Sequence, residues 1–218
     1  MQRRTLLASL GVAIVGGGAY FLTKPQTSGD PLLGAANAQT TDVDTSGIKE
    51  MAIGDENAPI TIVEYASFTC PHCASFHANQ YPQLKANYIE TGKVRFIYRE
   101  VYFDRPGLWA SMMARCGGDS RFFAIADMLY ARQREWTQGD GGAVASNLRK
   151  IGLSVGIDAD EIDACMADGE MAQNLVGWYR ENADADQVQS TPTLIIDGEK
   201  FSNMSYGDLS ALLDERLA

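Results

Sequence analysis

The amino-acid sequence predicts an α/β fold, a sheet packed with helices, that an all-helical insertion interrupts. Three observations predict it. Dense β-branched and aromatic runs mark strands near Ile60, Val94 and Thr193, whereas about Asp104 to Asp186 carries helical apolar spacing and no convincing strand. Two cysteines three positions apart, Cys70 and Cys73, stand where the first strand gives way to the first helix, so the fold has a chemical centre. With 218 residues, 45% of them hydrophobic, the chain can bury a sizeable core. Its 4 cysteines make two pairs at most, too few for disulfides to be the main source of stability.

The elements follow in order. Behind the turn residues Asp55 to Pro59, Ile60-Thr61-Ile62-Val63-Glu64-Tyr65 reads as a buried strand. From Cys70 to about Tyr88 the apolar positions Cys73, Phe76, Leu84 and Tyr88 recur at helical spacing; Pro71 suits the first turn, and Thr91-Gly92 ends the run. Val94 to Val101 is the next strand. The insertion includes helical stretches at Ser120 to Trp136, Ala143 to Ile151 and Glu170 to Asn182. Thr193 to Gly198 returns to a strand and turn, with Lys200-Phe201-Ser202 as its hairpin partner. In the last helix Ser205 caps the start, and Leu209, Leu212, Leu213 and Leu217 share one face.

The N-terminus differs from the rest. Arg3 and Arg4 precede an uncharged run from Leu6 to Leu22, which reads as an export signal or a membrane anchor. Ala36-Asn37-Ala38 fits a small-x-small cleavage pattern, and Arg3-Arg4 before Thr5-Leu6-Leu7 resembles a twin-arginine signal. Residues 24 to 50 lack apolar periodicity, so residues 39 to 50 are expected to be a flexible linker after a signal or anchor at 1 to 38. Export places the cysteines in an oxidising compartment, the periplasm. Loss of residues 1 to 38 takes Lys plus Arg from 18 to 15 and Asp plus Glu from 28 to 27, moving the net charge from -10 to -12. Such a surface repels nucleic acid and anionic lipid heads, leaving membrane contact to an uncleaved N-terminus.

Cys70-Pro71-His72-Cys73 carries the chemistry. At a helix start, unpaired backbone N–H groups and the helix dipole favour an anion, so Cys70 is expected to be the acidic, attacking thiol. A lowered pKa stabilises the reduced protein and makes its disulfide more oxidising. His72 adds a nearby donor or positive charge, and Cys73, one turn in, is expected to resolve mixed disulfides.

The sequence here resembles the DsbA family of bacterial thioredoxin-fold proteins, whose active-site tetrapeptide is Cys-Pro-His-Cys. Ala58-Pro59-Ile60-Thr61-Ile62-Val63-Glu64-Tyr65 leading into Ser67-Phe68-Thr69-Cys70 resembles the family's first core strand and active-site approach, and Thr191-Pro192-Thr193 its cis-proline loop. The resemblance covers about residues 51 to 218. It implies a thioredoxin-like fold, residues 51–104 and 189–218, interrupted by the helical insertion at 105–188. It also implies a cis Thr191-Pro192 bond that sets the Thr191 backbone beside Cys70 to pair with substrate, and a buried Glu64 that exchanges protons with Cys73. The expected substrates are reduced or unfolded exported proteins, and the expected reoxidant is a quinone-linked membrane protein of DsbB type. No cofactor is called for.

Cys116 and Cys165, 49 positions apart in the insertion, are expected to form a structural disulfide, since neither has the Cys-x-x-Cys spacing or an electropositive neighbourhood beyond Arg115. A second redox pair is the alternative. Disulfide isomerases and reductases share the fold, but residues 24 to 50 are short for a dimerisation segment, which favours an oxidase. From a different class, Cys70, Cys73 and His77 have spacings that a copper or zinc site could use, although His72 and His77 are the only 2 histidines. The residue types favour reading His77 as an ordinary helix residue. The aromatics Phe122, Phe123, Tyr130 and Trp136 read as core.

Overall fold

A computed structural model describes residues 43–218. The export or anchor segment read at residues 1–38 lies outside them. The strands are β1 (Met51–Ile53), β2 (Ile60–Ala66), β3 (Val94–Glu100), β4 (Thr193–Ile196) and β5 (Glu199–Ser202). They form one sheet in the order β1-β3-β2-β4-β5. β2 runs parallel to β3, and the other pairs are antiparallel. β2 therefore has a partner on both edges and buries residues on both faces, which is why its sequence reads as a nearly unbroken apolar run.

A parallel pair needs a crossover. Here it consists of α1 (Pro71–Asn79), α2 (Tyr81–Leu84) and a π-helical turn, Lys85–Ile89. The sequence predicts one continuous helix here; Pro82 cannot donate a backbone hydrogen bond, and the helix is broken around it. The sequence does not announce β1, because three residues carry too little pattern. It stops at Gly54, whose φ of +99° and approach to the Val94 carbonyl, 2.5 Å from where a Cβ would stand, admit only glycine.

The helices between β3 and β4 are α3 (Arg105–Cys116), α4 (Asp119–Ala131), α5 (Gln133–Trp136), α6 (Gly141–Ser154), α7 (Ala159–Ala167) and α8 (Gly169–Ala185). Four of them start at an aspartate whose carboxylate accepts from a backbone N–H in the first turn: Asp104, Asp140, Asp158 and Asp168. Part of the acidic composition thus serves as helix caps. The chain closes with α9 (Tyr206–Leu217), capped by Ser205 and buried through Leu209 and Leu213.

One core runs through the sheet and the insertion together, joining Phe96 and Leu194 to Ile125, Leu148 and Trp136. On the opposite side, α8 covers Tyr65, Val101 and Ile195 through Ala183. Residues 43–50 are a correction to the expected linker. Ile48 packs against the cluster containing Leu175 and Val176, the Thr45 hydroxyl donates to Glu181, and Arg115 donates to the Lys49 carbonyl. A few contacts at scattered positions suffice to dock this segment, and such a pattern has no periodicity to read.

Two links tie the insertion together and to the sheet. Cys116 and Cys165 are joined in a disulfide between α3 and α7. Arg115, one residue earlier, forms a two-pronged ion pair with Glu100 at the end of β3, Nε to Oε1 at 2.6 Å and Nη2 to Oε2 at 2.8 Å.

Candidate functional site

The site begins where β2 ends. The Cys70 N–H donates to the Ser67 carbonyl in a tight turn, and Cys70 itself is the N-cap of α1, extended at φ -77° and ψ 119°, with Pro71 in the first turn. No side chain caps this helix. The Cys70 sulfur is left to occupy the anion-favouring position. Its thiol is lowered from 9.0 to about 5 by a hydrogen bond from the Cys73 thiol, against the cost of burial, with further donation from Thr191 and the backbone N–H groups of Cys73 and His72. His72 contributes through its backbone; its ring is exposed.

Cys73 is fully buried, and its thiol is pushed far up by burial, by its hydrogen bond to Cys70 and by the charge of Glu64. The two sulfurs therefore differ sharply: Cys70 holds the charge and Cys73 holds the proton. Glu64 projects from the middle of β2, is completely buried, and carries Oε1 without a hydrogen-bond partner among the described residues. Its Oε2 lies 2.9 Å from the Nε2 of His77.

His77 is the main correction to the sequence reading. It is buried, 8% exposed, and its ring stacks on Tyr130 at a centroid separation of 4.1 Å. Turned toward Glu64, it does not join the cysteines as a third ligand. Among the described residues no group of three His, Cys, Asp or Glu side chains is placed to hold a metal ion, so the copper or zinc reading has no support. The spacing puts His77 four positions after Cys73 on the same helix face but does not name its partner on β2.

Thr191-Pro192 is a cis peptide bond, and the Cys70 Sγ lies 3.6 Å from the Thr191 carbonyl oxygen. From the insertion, the buried side-chain amide of Gln133 donates to the Phe68 and Cys70 carbonyls at 2.8 and 3.0 Å. Two carbonyls of the loop that carries Cys70 are thereby satisfied. Nothing in the sequence marks Gln133, because its partners lie more than 60 residues away.

A titration follows from the lowered Cys70 thiol. In the reduced protein, thiolate absorbance or alkylation rate is expected to rise with a midpoint at about pH 5. The folded value lies below the ordinary one, so the thiolate's contribution to the reduced fold is complete above about pH 9 and is lost as pH falls through about 5. A midpoint near 9 would show that these hydrogen bonds do not hold the anion.

Comparison with known proteins gives the same picture. A family model described as Thioredoxin matches residues 46–215. A relative from Rickettsia bellii, named as a candidate protein-disulfide oxidoreductase, is 31% identical over 169 residues, 77% of this chain and 64% of that one. The chain thus spans under two thirds of that relative's length. Disulfide bond formation protein D of Bacillus subtilis is 24% identical over 179 residues, 76% of each chain. Among solved structures, Wolbachia pipientis alpha-DsbA1 superposes with a TM-score of 0.70 at 24% identity, covering 77% of this chain and 90% of that one. The chain belongs to the thioredoxin family and has the fold of the DsbA proteins.

Proposed function

We propose that this protein is a DsbA-type protein-disulfide oxidoreductase that introduces disulfides into exported proteins in the periplasm. The observation that carries the reading is the opposed pair of thiols, Cys70 held low at about 5 and Cys73 held high, because a stabilised Cys70 thiolate favours the reduced protein and makes the Cys70-Cys73 disulfide a strong oxidant. The names of the Rickettsia and Bacillus relatives agree with this chemistry.

In the proposed cycle a substrate thiolate attacks Cys70 Sγ. The Cys70-Cys73 bond breaks, Cys73 leaves with the electron pair, and it takes a proton from Glu64. A second substrate thiolate then attacks the substrate sulfur of the mixed disulfide and expels Cys70 as thiolate. The substrate has lost two electrons and the enzyme has gained them. Thr191, beside the nucleophile, offers backbone to pair with an extended substrate segment, while Pro71 starts α1 and the His72 backbone N–H helps hold the Cys70 thiolate. A quinone-linked membrane protein of DsbB type would reoxidise the pair, and residues 1–38 would direct export. Residues 51–104 and 189–218 supply the thioredoxin-like part and residues 105–188 the insertion.

Equilibration in glutathione buffers tests the direction. A midpoint potential above the glutathione couple is expected; a value as reducing as thioredoxin's, about -270 mV, overturns the oxidase reading in favour of a reductase.

Cys116-Cys165 is assigned a structural role, since Arg115 beside it is spent on Glu100. Replacing both cysteines with alanine is expected to lower stability in denaturant melts by about 4 kcal/mol, the chain-entropy value for a loop of this length. Thiol oxidation should persist. A folded double variant without activity would move the pair into the redox mechanism.

A further inference from the structure

The proposed cycle moves a proton on and off Cys73, which is completely buried, and so is the Glu64 that exchanges it. A route to solvent is required. His77 offers one. Its Nε2 faces Glu64 Oε2 at 2.9 Å, and its Nδ1 has no hydrogen-bond partner among the described residues. His77 also lines a cavity of about 490 Å³ on the side of α1 and α4, with Tyr81, Lys85, Glu90, Asp127 and Tyr130 among its other walls, and Nδ1 is buried just behind that wall. With Lys85, Glu90 and Asp127 on its wall, a cavity of that size has the room and the polar groups to hold water.

We infer that His77 is a positioning and proton-relay residue that links Glu64 to this cavity, so that Cys73 exchanges protons with solvent through the interior of α1. The inference rests on the Cys70-Cys73 cycle proposed above. When the disulfide closes, the Cys73 proton passes to the Glu64 carboxylate as His77 releases its Nδ1 proton to the cavity. The Glu64-His77 pair keeps the same number of protons, Nε2–H stays on Glu64, and one proton reaches solvent. When substrate opens the disulfide the steps reverse: Nδ1 takes a proton from the cavity, and protonated Glu64 gives its own to the departing Cys73 thiolate.

The surroundings suit that task. His77 is faced by Glu64 from β2, Tyr98 from β3, Tyr81 from α2, and Tyr130 and Asp127 from α4, with Lys85 and Glu90 at the cavity and Cys73 on its own helix. Tyr130 and Tyr81 hold the ring between them, with centroids 4.1 and 4.7 Å away, which keeps Nε2 aimed at Glu64. Burial raises the Asp127 carboxyl while the charges of His77 and Lys85 pull it back, so an acidic group on the cavity wall lies within electrostatic reach of His77.

The test isolates closure of the disulfide. Reduced full-length protein is mixed with oxidised glutathione, quenched in acid at successive times, and the glutathionylated Cys70 intermediate is followed from pH 5 to 9. His77→Gln, which can still hydrogen-bond Glu64 but cannot carry a proton, is expected to slow closure roughly 10-fold or more at neutral pH and to flatten its pH profile. Glutathionylation of Cys70 should be unchanged. In His77→Gly, added imidazole should restore closure, and thiazole, a ring of similar size that is not basic at neutral pH, should not. An unchanged rate and profile in His77→Gln, or equal rescue by thiazole, overturns the relay. Should His77→Gln not fold, Asp127→Asn at the cavity decides: slowed closure supports the relay and unchanged closure overturns it. Failure of the wild-type protein to close any disulfide would instead refute the Cys70-Cys73 cycle and the relay with it.

Discussion

Under the proposed cycle, Cys70→Ala is expected to lose all disulfide-forming activity, down to the uncatalysed background, while Cys73→Ala accumulates mixed disulfides with its substrate. The asymmetry follows from position. Cys70 is the N-cap of α1 with its sulfur among donors, whereas Cys73 is buried one turn in. Only Cys70 can present a thiolate to a large partner; without Cys73, the mixed disulfide has no internal thiol to release it. Mass spectrometry of acid-quenched reactions gives the count: Cys70 of Cys73→Ala is first charged as its mixed disulfide with glutathione, and a reduced single-thiol peptide then displaces glutathione, which leaves as its thiol. Free peptide in place of adduct in Cys73→Ala would reverse the assigned order of attack. The same variant carries a second expectation. The Cys73 thiol is the largest influence holding Cys70 at about 5, so its removal should move the Cys70 titration midpoint upward.

Arg115→Met is expected to cost as much stability as loss of the Cys116-Cys165 disulfide. Glu100 is 1% exposed, and both of its carboxylate oxygens accept from the Arg115 guanidinium. Removing the arginine leaves a buried carboxylate uncompensated at the end of β3, at a cost of roughly 3–5 kcal/mol. It also frees the Lys49 carbonyl, so residues 43–50 should become more open to proteolysis. Urea melts give the first number and limited proteolysis the second. In Glu100→Leu/Arg115→Met the buried charge is gone, and much of the loss should be regained. A single-variant loss under about 1 kcal/mol would mean that water reaches the pair.

Much of the sheet was legible along the chain. β2, β3, β4 and β5 announce themselves as apolar or alternating runs between turn residues, and the Cys-x-x-Cys stands directly at the start of α1. Two helices of the insertion gave no usable pattern, for opposite reasons. α3 buries seven of its residues, from Gly107 through Ala114, and so has no polar face to set off an apolar one. α7 buries only Ile162, which leaves no stripe to recognise. Residues 43–50 hid in the same way: their apolar contacts come from Val43 and Ile48, two positions too scattered to make a pattern.

The chemistry divides along the same line. Which thiol is the acidic one, where α1 starts and what closes the hairpin depend on neighbours a few positions apart, and such relations are written directly into residue order. The pairing of Glu64 with His77, the hold of Gln133 on the Cys70 carbonyl, the placing of Thr191 beside the sulfur and the engagement of Arg115 with Glu100 depend on which surfaces the sheet and insertion bring together. A buried polar side chain costs free energy until a partner satisfies it, and that partner is set by packing across the whole domain. His77 shows the difference most plainly: from its neighbours it is one more helix residue, and only β2, packed beneath α1, gives it a carboxylate to hold.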